Sequence, residues 1–325
     1  MTEAPAPMTN PTRPDDAAAP APGLRPSLLA LAERGMLVVL IAAGLYAWEI
    51  GIVHRDYDYD EVQRAHSVWL ASRGLRPYTD LFEVHPPYFV LLKPIVERWT
   101  DPCDALRALR IFAALGNLAF LGGLVALGRT LAPRGGRWAG LGVAFVAFHP
   151  KVLDFLVEFR IDGWGYAPAA WGLVGFLRRP GMRGRFATFG ILSGIATLLC
   201  PKLALLPPLV VGFEILREWR SWREALRMGS AYALGLGIAA LVFASYLAAN
   251  RIALDRTYLL LFRYHTLSNA HSSYRHGLLR QLVGTPLLLV PIALGALVWA
   301  IDAVKRRSLA GAYPPALGLW LVIQA

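Results

Sequence analysis

Hydrophobic positions in this chain fall into long blocks separated by short charged stretches. They do not follow the two-residue period of a half-buried strand or the single stripe of a surface helix. Apolar runs cover about 35–53, 111–127, 138–148, 164–177, 186–199, 203–216, 228–249 and 278–300, and a last one, 314–325, is cut off by the end of the chain. A helix needs roughly 20 apolar residues to cross a hydrocarbon core of about 30 Å, so the runs predict a polytopic membrane protein of about eight to nine transmembrane helices. The fold class expected is all-α. The interrupted final run leads us to expect a C-terminally truncated chain.

Two stretches between the runs have a different pattern. The segment 54–110 is too long for a connector between spans. Within it, Val62, Ala65, Trp69 and Leu70 recur at helical spacing with charged residues between them. That spacing predicts an amphipathic helix lying at the membrane surface over 60–73, broken by Arg73-Gly74-Leu75-Arg76-Pro77. The stretch 87–99 is apolar but short and contains Pro94, which predicts a second interfacial helix. At the other extreme, 1–26 is rich in Ala and Pro and poor in large apolar residues, as expected of a disordered cytoplasmic tail. It lacks the basic start and early apolar core of a signal peptide, so 35–53 is read as a retained first helix and 27–325 as the membrane domain.

Composition agrees with the pattern. Of the 325 residues 56% are hydrophobic and only 17% charged, against roughly a quarter charged in soluble domains. The net charge of +11 changes the picture only through its distribution. Arginines and lysines gather in 129–137, 178–185, 217–227 and 305–307, which fall on one side when the spans alternate. The positive-inside rule makes that side cytoplasmic, and no separate basic domain or aromatic-basic surface argues for nucleic acid. The segments 54–110, 149–162, Cys200-Pro201-Lys202 and 250–277 then lie outside. The last of these is an exception to the charge rule, because it carries Arg251, Arg256, Arg263 and Arg275. The expected location is multi-pass in a membrane, read as a bacterial inner membrane, with the acidic segments on the periplasmic or luminal side.

That outer side carries the acids. His54-Arg55-Asp56-Tyr57-Asp58-Tyr59-Asp60-Glu61 comes directly after the first span, and carboxylates at such a position normally face water, a metal or a substrate. The alternation Asp56-x-Asp58-x-Asp60 is not an EF-hand, which needs Gly at loop position six and Glu at twelve, where this chain has Glu61 and Ser67. Asp56 and Asp58 are as easily read as a solvated rim.

Together with the residues C-terminal to it, the run carries a resemblance. Asp60-Glu61 precedes Arg73-Gly-Leu-Arg-Pro-Tyr-Thr-Asp-Leu-Phe-Glu-Val-His-Pro-Pro-Tyr-Phe89, and Ala108-Leu109-Arg110 enters the second span. Over about 30–220 the chain resembles the GT-C membrane glycosyltransferases, in the family 39 group of protein O-mannosyltransferases and lipid A aminoarabinose transferases. The resemblance implies a GT-C-type fold with a long first extracytoplasmic loop. It also implies a polyprenyl-phosphate-linked sugar as donor, an extracytoplasmic lipid, glycan or protein as acceptor, and inversion at the anomeric carbon. Such a reaction needs a carboxylate as general base and positive charge or a metal on the departing phosphate. By position Asp60 is the expected base, with Glu61 next to it as the second choice.

The resemblance extends to further residues. Asp162 matches a second acid before the fourth span, with Glu158 and Arg160 close by, although an acid at a helix start is also a common capping residue. Arg160 and Lys202 are expected on the donor phosphate; for Lys202 the alternative is snorkelling to the interface. Glu83 corresponds to a glutamate that binds a divalent metal in the aminoarabinose branch, which leaves a metal open, with His265 (or His271 or His276) as partner and His85 nearby. No compact His-Glu-x-x-His spacing supports it, and a proline-stiffened polar loop is the other reading. Cys103 and Cys200 both fall outside, and the sequence leaves open whether they pair. Gly190-x-x-x-Gly194 fits helix packing in the bundle. The alternative function is a transporter or a flippase for lipid-linked sugars. Transporters place their charges near the bilayer midplane, whereas here the acids gather at helix ends and in loops.

Overall fold

The computed structural model describes residues 28–85, 88–131, 138–148, 150–179, 184–218 and 221–264. The expected tail 1–26, the runs 278–300 and 314–325, the basic stretch 305–307, and His265, His271 and His276 lie outside them. The described residues are mostly helical and contain no strand. In chain order the helices are α1 (Leu28–His54), α2 (Tyr59–Ser72), α3 (Phe89–Arg98), α4 (Pro102–Leu131), α5 (Trp138–Ala147), α6 (Pro150–Val157), α7 (Asp162–Arg178), α8 (Gly184–Leu199), α9 (Leu206–Glu218), α10 (Trp222–Ala249) and α11 (Leu254–Tyr258). A 3-10 turn, Pro201–Ala204, precedes α9, and a π-type turn, Leu259–Arg263, comes after α11.

Among the described residues three segments are long and apolar enough to cross a membrane: Arg34–His54, Pro102–Leu131 and Trp222–Ala249. The other apolar runs within the described residues, 138–148, 164–177, 186–199 and 203–216, form shorter helices. The expected span 138–148 is only the 10-residue α5, and the stretch 149–162, read as a loop, contains the helix α6. The run 203–216 begins inside the 3-10 turn Pro201–Ala204 and reaches α-helix only at Leu206, because Pro207 and Pro208 supply no N–H to bond back to the carbonyls of 203 and 204. Helices form over both stretches read as interfacial, as α2 and α3.

The core is a row in which α4 packs on α7, α7 on α8 and α8 on α10. Asn117 of α4 donates to the Leu156 carbonyl at 2.7 Å, and Trp164 Nε1 of α7 donates to the Phe112 carbonyl at 2.9 Å. The α8–α10 contact depends on glycine. A Cβ on Gly235 would collide with the Ala187 carbonyl and the Ile191 nitrogen, and one on Gly190 with the Tyr232 carbonyl. Close backbone approach of this kind is how helices associate where lipid removes the hydrophobic drive between them. Gly235→Leu is therefore expected to lower the melting temperature of the purified protein in detergent, because overpacking costs about 1–3 kcal/mol or more. An unchanged melting temperature would show that the two backbones do not meet there.

The two ends of the bundle differ. At one end Arg178 bonds Thr130 Oγ1 at 2.9 Å, and Arg185 is buried between α8 and α9. Arg185 donates to the Phe176 carbonyl at 3.2 Å and to Glu214 Oε1 at 3.0 Å, and its guanidinium lies 4.7 Å from the Phe176 ring centre. One arginine of the basic stretch 178–185 is thus turned into the protein. The opposite end gathers the C-termini of α1 and α6, the N-termini of α4 and α7, and α2 and α3. A cluster of Val68, Tyr88, Leu92, Leu106, Leu109, Phe159 and Ile161 fastens these two short helices to the first turns of α4.

Candidate functional site

The acidic run folds into the start of α2. Asp58 is the N-cap, its carboxylate accepting from the Asp60 N–H at 2.8 Å, while Glu61 Oε2 reaches back to the Asp58 N–H at 3.2 Å. This is a reciprocal capping box, which satisfies two of the N–H groups a helix start leaves open. Asp60 occupies the first turn, where the helix dipole favours a carboxylate. Its side chain is 49% exposed and pairs with Arg64 one turn on at 3.2 Å. Asp56 and Asp58 are exposed. At the far end of α2, Gly74 adopts φ 91°, while Leu75 N–H bonds the Leu70 carbonyl and Gly74 N–H the Ala71 carbonyl. That Schellman arrangement uses the left-handed conformation glycine adopts without strain.

Glu61 faces inward and is fully buried. Arg110 of α4, also fully buried, grips it with two parallel bonds, Nε to Oε1 at 2.9 Å and Nη2 to Oε2 at 2.7 Å. Its remaining donors cap the end of α1, reaching the carbonyls of Ile52, Arg55 and Asp56 at 3.1, 3.0 and 3.0 Å. Glu61 Oε1 also accepts from the Phe159 N–H at 2.6 Å, and Arg55 approaches Oε2 at 3.2 Å. Both oxygens of Glu61 are committed to holding α1, α2, α4 and the 158–161 turn together.

The second acidic segment meets α2 at that turn. The Phe159 peptide is clamped between Glu61 and Arg64, whose Nη1 bonds its carbonyl at 3.4 Å. Glu158 is buried, with Arg160 Nε at 2.9 Å, Arg64 Nη1 at 3.7 Å and Arg55 Nη2 at 3.9 Å. Arg160 is a quarter exposed, stacks over the Phe155 ring at 4.7 Å, and interacts electrostatically with both Asp60 and Asp162. Burial works against its charge, but Glu158 and these acids raise its affinity for the proton. Asp162, the first residue of α7, accepts from the Cys200 thiol at 3.5 Å and faces Lys202 Nζ at 4.0 Å. Asp60, Glu61, Glu158, Arg160, Asp162 and Lys202 thus share one end of the bundle although they come from distant parts of the sequence.

Glu83 and His85 flank this cluster. Glu83 is buried, and its Oε1 accepts the N–H groups of Val84 and His85 at 3.0 Å each and meets His85 Nδ1 at 2.7 Å. The loop is held by Tyr78, whose hydroxyl donates to the His85 carbonyl at 2.5 Å and whose backbone takes the unusual φ of 63°. Among the described residues no three His, Cys, Asp or Glu side chains come together as metal ligands. With its oxygen engaged by three donors and His265 outside the described residues, Glu83 does not compose a metal set with its described neighbours. Cys103 is exposed, Cys200 is buried, and both are free thiols. Burial pushes the Cys200 thiol up to about 12, with Asp162 adding to it.

Arg55, Arg64, Arg110 and Tyr88 also belong to this end; Arg55, Tyr88 and Arg110 stand inside the stretches that carry the resemblance, but the sequence assigned none of the four a role. The one available sign was Arg110, an arginine entering an apolar span, where charge is costly without a partner. A groove of about 870 Å³ opens between α2, the end of α3 and the start of α4, lined by Val62, His66, Trp69, Trp99, Cys103 and Leu106 among others. It shares no residue with the charged cluster, so this opening is not where the charges meet.

The buried carboxylates set a pH dependence. Burial pulls Glu61 upward, but Arg110 and the N–H groups of Phe159 and Asp58 outweigh it and hold the carboxyl below its ordinary value. Glu83 is likewise depressed, burial being overcome by His85 and Ser67. Depressed carboxylates give stability that is present above the unfolded pKa of about 4.3 and lost as pH falls through the folded value. Acidification below that range is thus expected to loosen α2 and the 83–85 loop before the α4–α7–α8–α10 row, as faster hydrogen exchange confined to the former. Uniform exchange across both regions would contradict it.

No family model, curated protein or solved structure matches this chain.

Proposed function

We propose that the chain is an integral membrane glycosyltransferase of GT-C type, which moves a sugar from a polyprenyl-phosphate donor onto an extracytoplasmic acceptor. In this reading about eight to nine helices cross a bacterial inner membrane, some of them shorter than a full bilayer width and tilted or broken. The acidic end faces the periplasm and the arginine-rich end the cytoplasm. The observation that carries the reading is Asp60. It is the half-exposed acid of the first loop that is also tied, through Arg64, to a cationic cluster holding a second acid, Asp162.

The chemistry assigned to that end is an inverting displacement. The acceptor hydroxyl oxygen attacks the anomeric carbon, its proton passes to the Asp60 carboxylate, and the bond from that carbon to the phosphate oxygen breaks. The departing polyprenyl phosphate is stabilised by Arg160 and Lys202. Asp162 orients Lys202 and the bound sugar. Glu61 keeps the helix that carries Asp60 in place, since its oxygens are spent on Arg110 and backbone donors. Glu83 orders the His85 loop beside the site.

The test is to incubate the purified full chain with a lipid extract containing polyprenyl-phosphate sugars. Loss of one of these lipids with matching formation of free polyprenyl phosphate is expected. Movement of the intact lipid-linked sugar across a vesicle bilayer without consumption would instead make the protein a flippase.

A further inference from the structure

The cations of this end already have anionic partners before any ligand arrives. Asp60, Glu61, Asp154, Glu158 and Asp162 are matched by Arg55, Arg64, Arg110, Arg160 and Lys202 within ion-pair distance. Most of these acids have a visible task. Glu61 pins four segments, Asp154 bonds Arg55 at 2.6 Å, Asp60 pairs at the open face, and Asp162 meets Lys202. Glu158 does not fit that scheme. Its side chain is only 3% exposed, yet its Oε1 has no hydrogen-bond donor, and Arg160 Nε lies 2.9 Å from Oε2 without the alignment of a hydrogen bond. A buried carboxylate left short of donors is costly, and this one is more deeply buried than the three guanidiniums within 4 Å of it, those of Arg160, Arg64 and Arg55.

We propose that Glu158 is a built-in limiter of phosphate affinity. It offsets the charge of Arg160 and Arg64 from its buried position, so that a phosphate monoester or diester approaching the exposed side of Arg160 and Lys202 is held weakly enough to leave. The proposal rests on the donor-phosphate role given to Arg160 above and adds its regulation. A glycosyl phosphate donor and its prenyl phosphate product present the same charged group to these arginines. A site built only to grip phosphate would retain the product. An internal anion of fixed geometry lowers the affinity for both without changing which atoms make contact.

The test uses the full chain in detergent with two probes, farnesyl phosphate and inorganic phosphate, and measures dissociation constants at low and high salt. Glu158→Gln keeps the shape and removes the charge. Because a unit charge a few ångströms from the arginines is screened only in part, about tenfold tighter binding is expected at low salt, with a smaller gain at high salt. Glu158→Asp, which restores the charge, should bind like the unaltered protein, and Glu158→Gln with Arg160→Ala should lose the gain. A merely structural glutamate would give unchanged or weaker binding in Glu158→Gln, and either result overturns the proposal, as does failure of both probes to bind. A gain for inorganic phosphate without binding of farnesyl phosphate would uphold the limiter and overturn the prenyl-phosphate donor.

Discussion

Replacing Arg110 with Ala is expected to detach α2 from the bundle and to cost more stability than any other single change at this end. Arg110 is fully buried and bonds both oxygens of an equally buried Glu61. Removing one partner of such a pair leaves an uncompensated charge, which typically costs about 3–5 kcal/mol. The loss is larger here because the same guanidinium caps the carbonyls that end α1. Arg110→Lys should recover little, since an ammonium cannot make the two parallel bonds. Removing both charges together, as Glu61→Leu with Arg110→Met, should restore part of the stability, because an apolar pair of similar size escapes the desolvation cost. The α1 carbonyls would still lack their donor, so recovery stays incomplete. The measurement is thermal unfolding of the purified variants, with limited proteolysis at the exposed Arg73–Arg76 corner reporting on α2. If Arg110→Ala melts like the unaltered protein and resists cleavage there, the pin is not what holds α2.

The second large effect concerns turnover. Asp60→Asn preserves size and can still accept from Arg64, but it cannot take the acceptor proton. General-base contributions are about 10²–10⁴-fold, so transfer should fall by roughly that factor while the protein still folds and binds donor. Asp56→Asn, at an exposed position, should leave transfer nearly unchanged. Asp162→Asn should give an intermediate loss, because it releases Lys202 without touching the base. The informative comparison is the ratio among the three at fixed donor occupancy. Near-normal transfer by Asp60→Asn alongside an inactive Asp56→Asn would move the base to the other end of the acidic run.

Much of the architecture could be read from the residues in order. Block-wise hydrophobicity predicts a helical membrane protein because spanning length is a local property of the chain. The short amphipathic period of 60–73, ended by Gly74, predicts α2, and the apolar stretch around Pro94 predicts α3, because surface helices depend on their own spacing and caps. Glycine spacing at 190 and 194 likewise indicated a packing face. The sequence also placed acids and bases at the helix ends, where their residue types restrict them.

What only the tertiary structure decided is which way each of those side chains turns. Asp60 and Glu61 are adjacent in sequence, yet one is half exposed and the other fully buried. Successive helical residues point about 100° apart, and only the position of α4 decides which of the two meets Arg110. In the same way Arg185 turns inward from a stretch that reads as a basic loop, and Glu158 lies among arginines from three parts of the chain. A charge on an apolar background is visible in one dimension. Its partner, 49 residues away for Arg110 and 29 for Arg185, is fixed only when the helices pack, because the cost of burying charge is met by whichever groups the fold brings within a few ångströms.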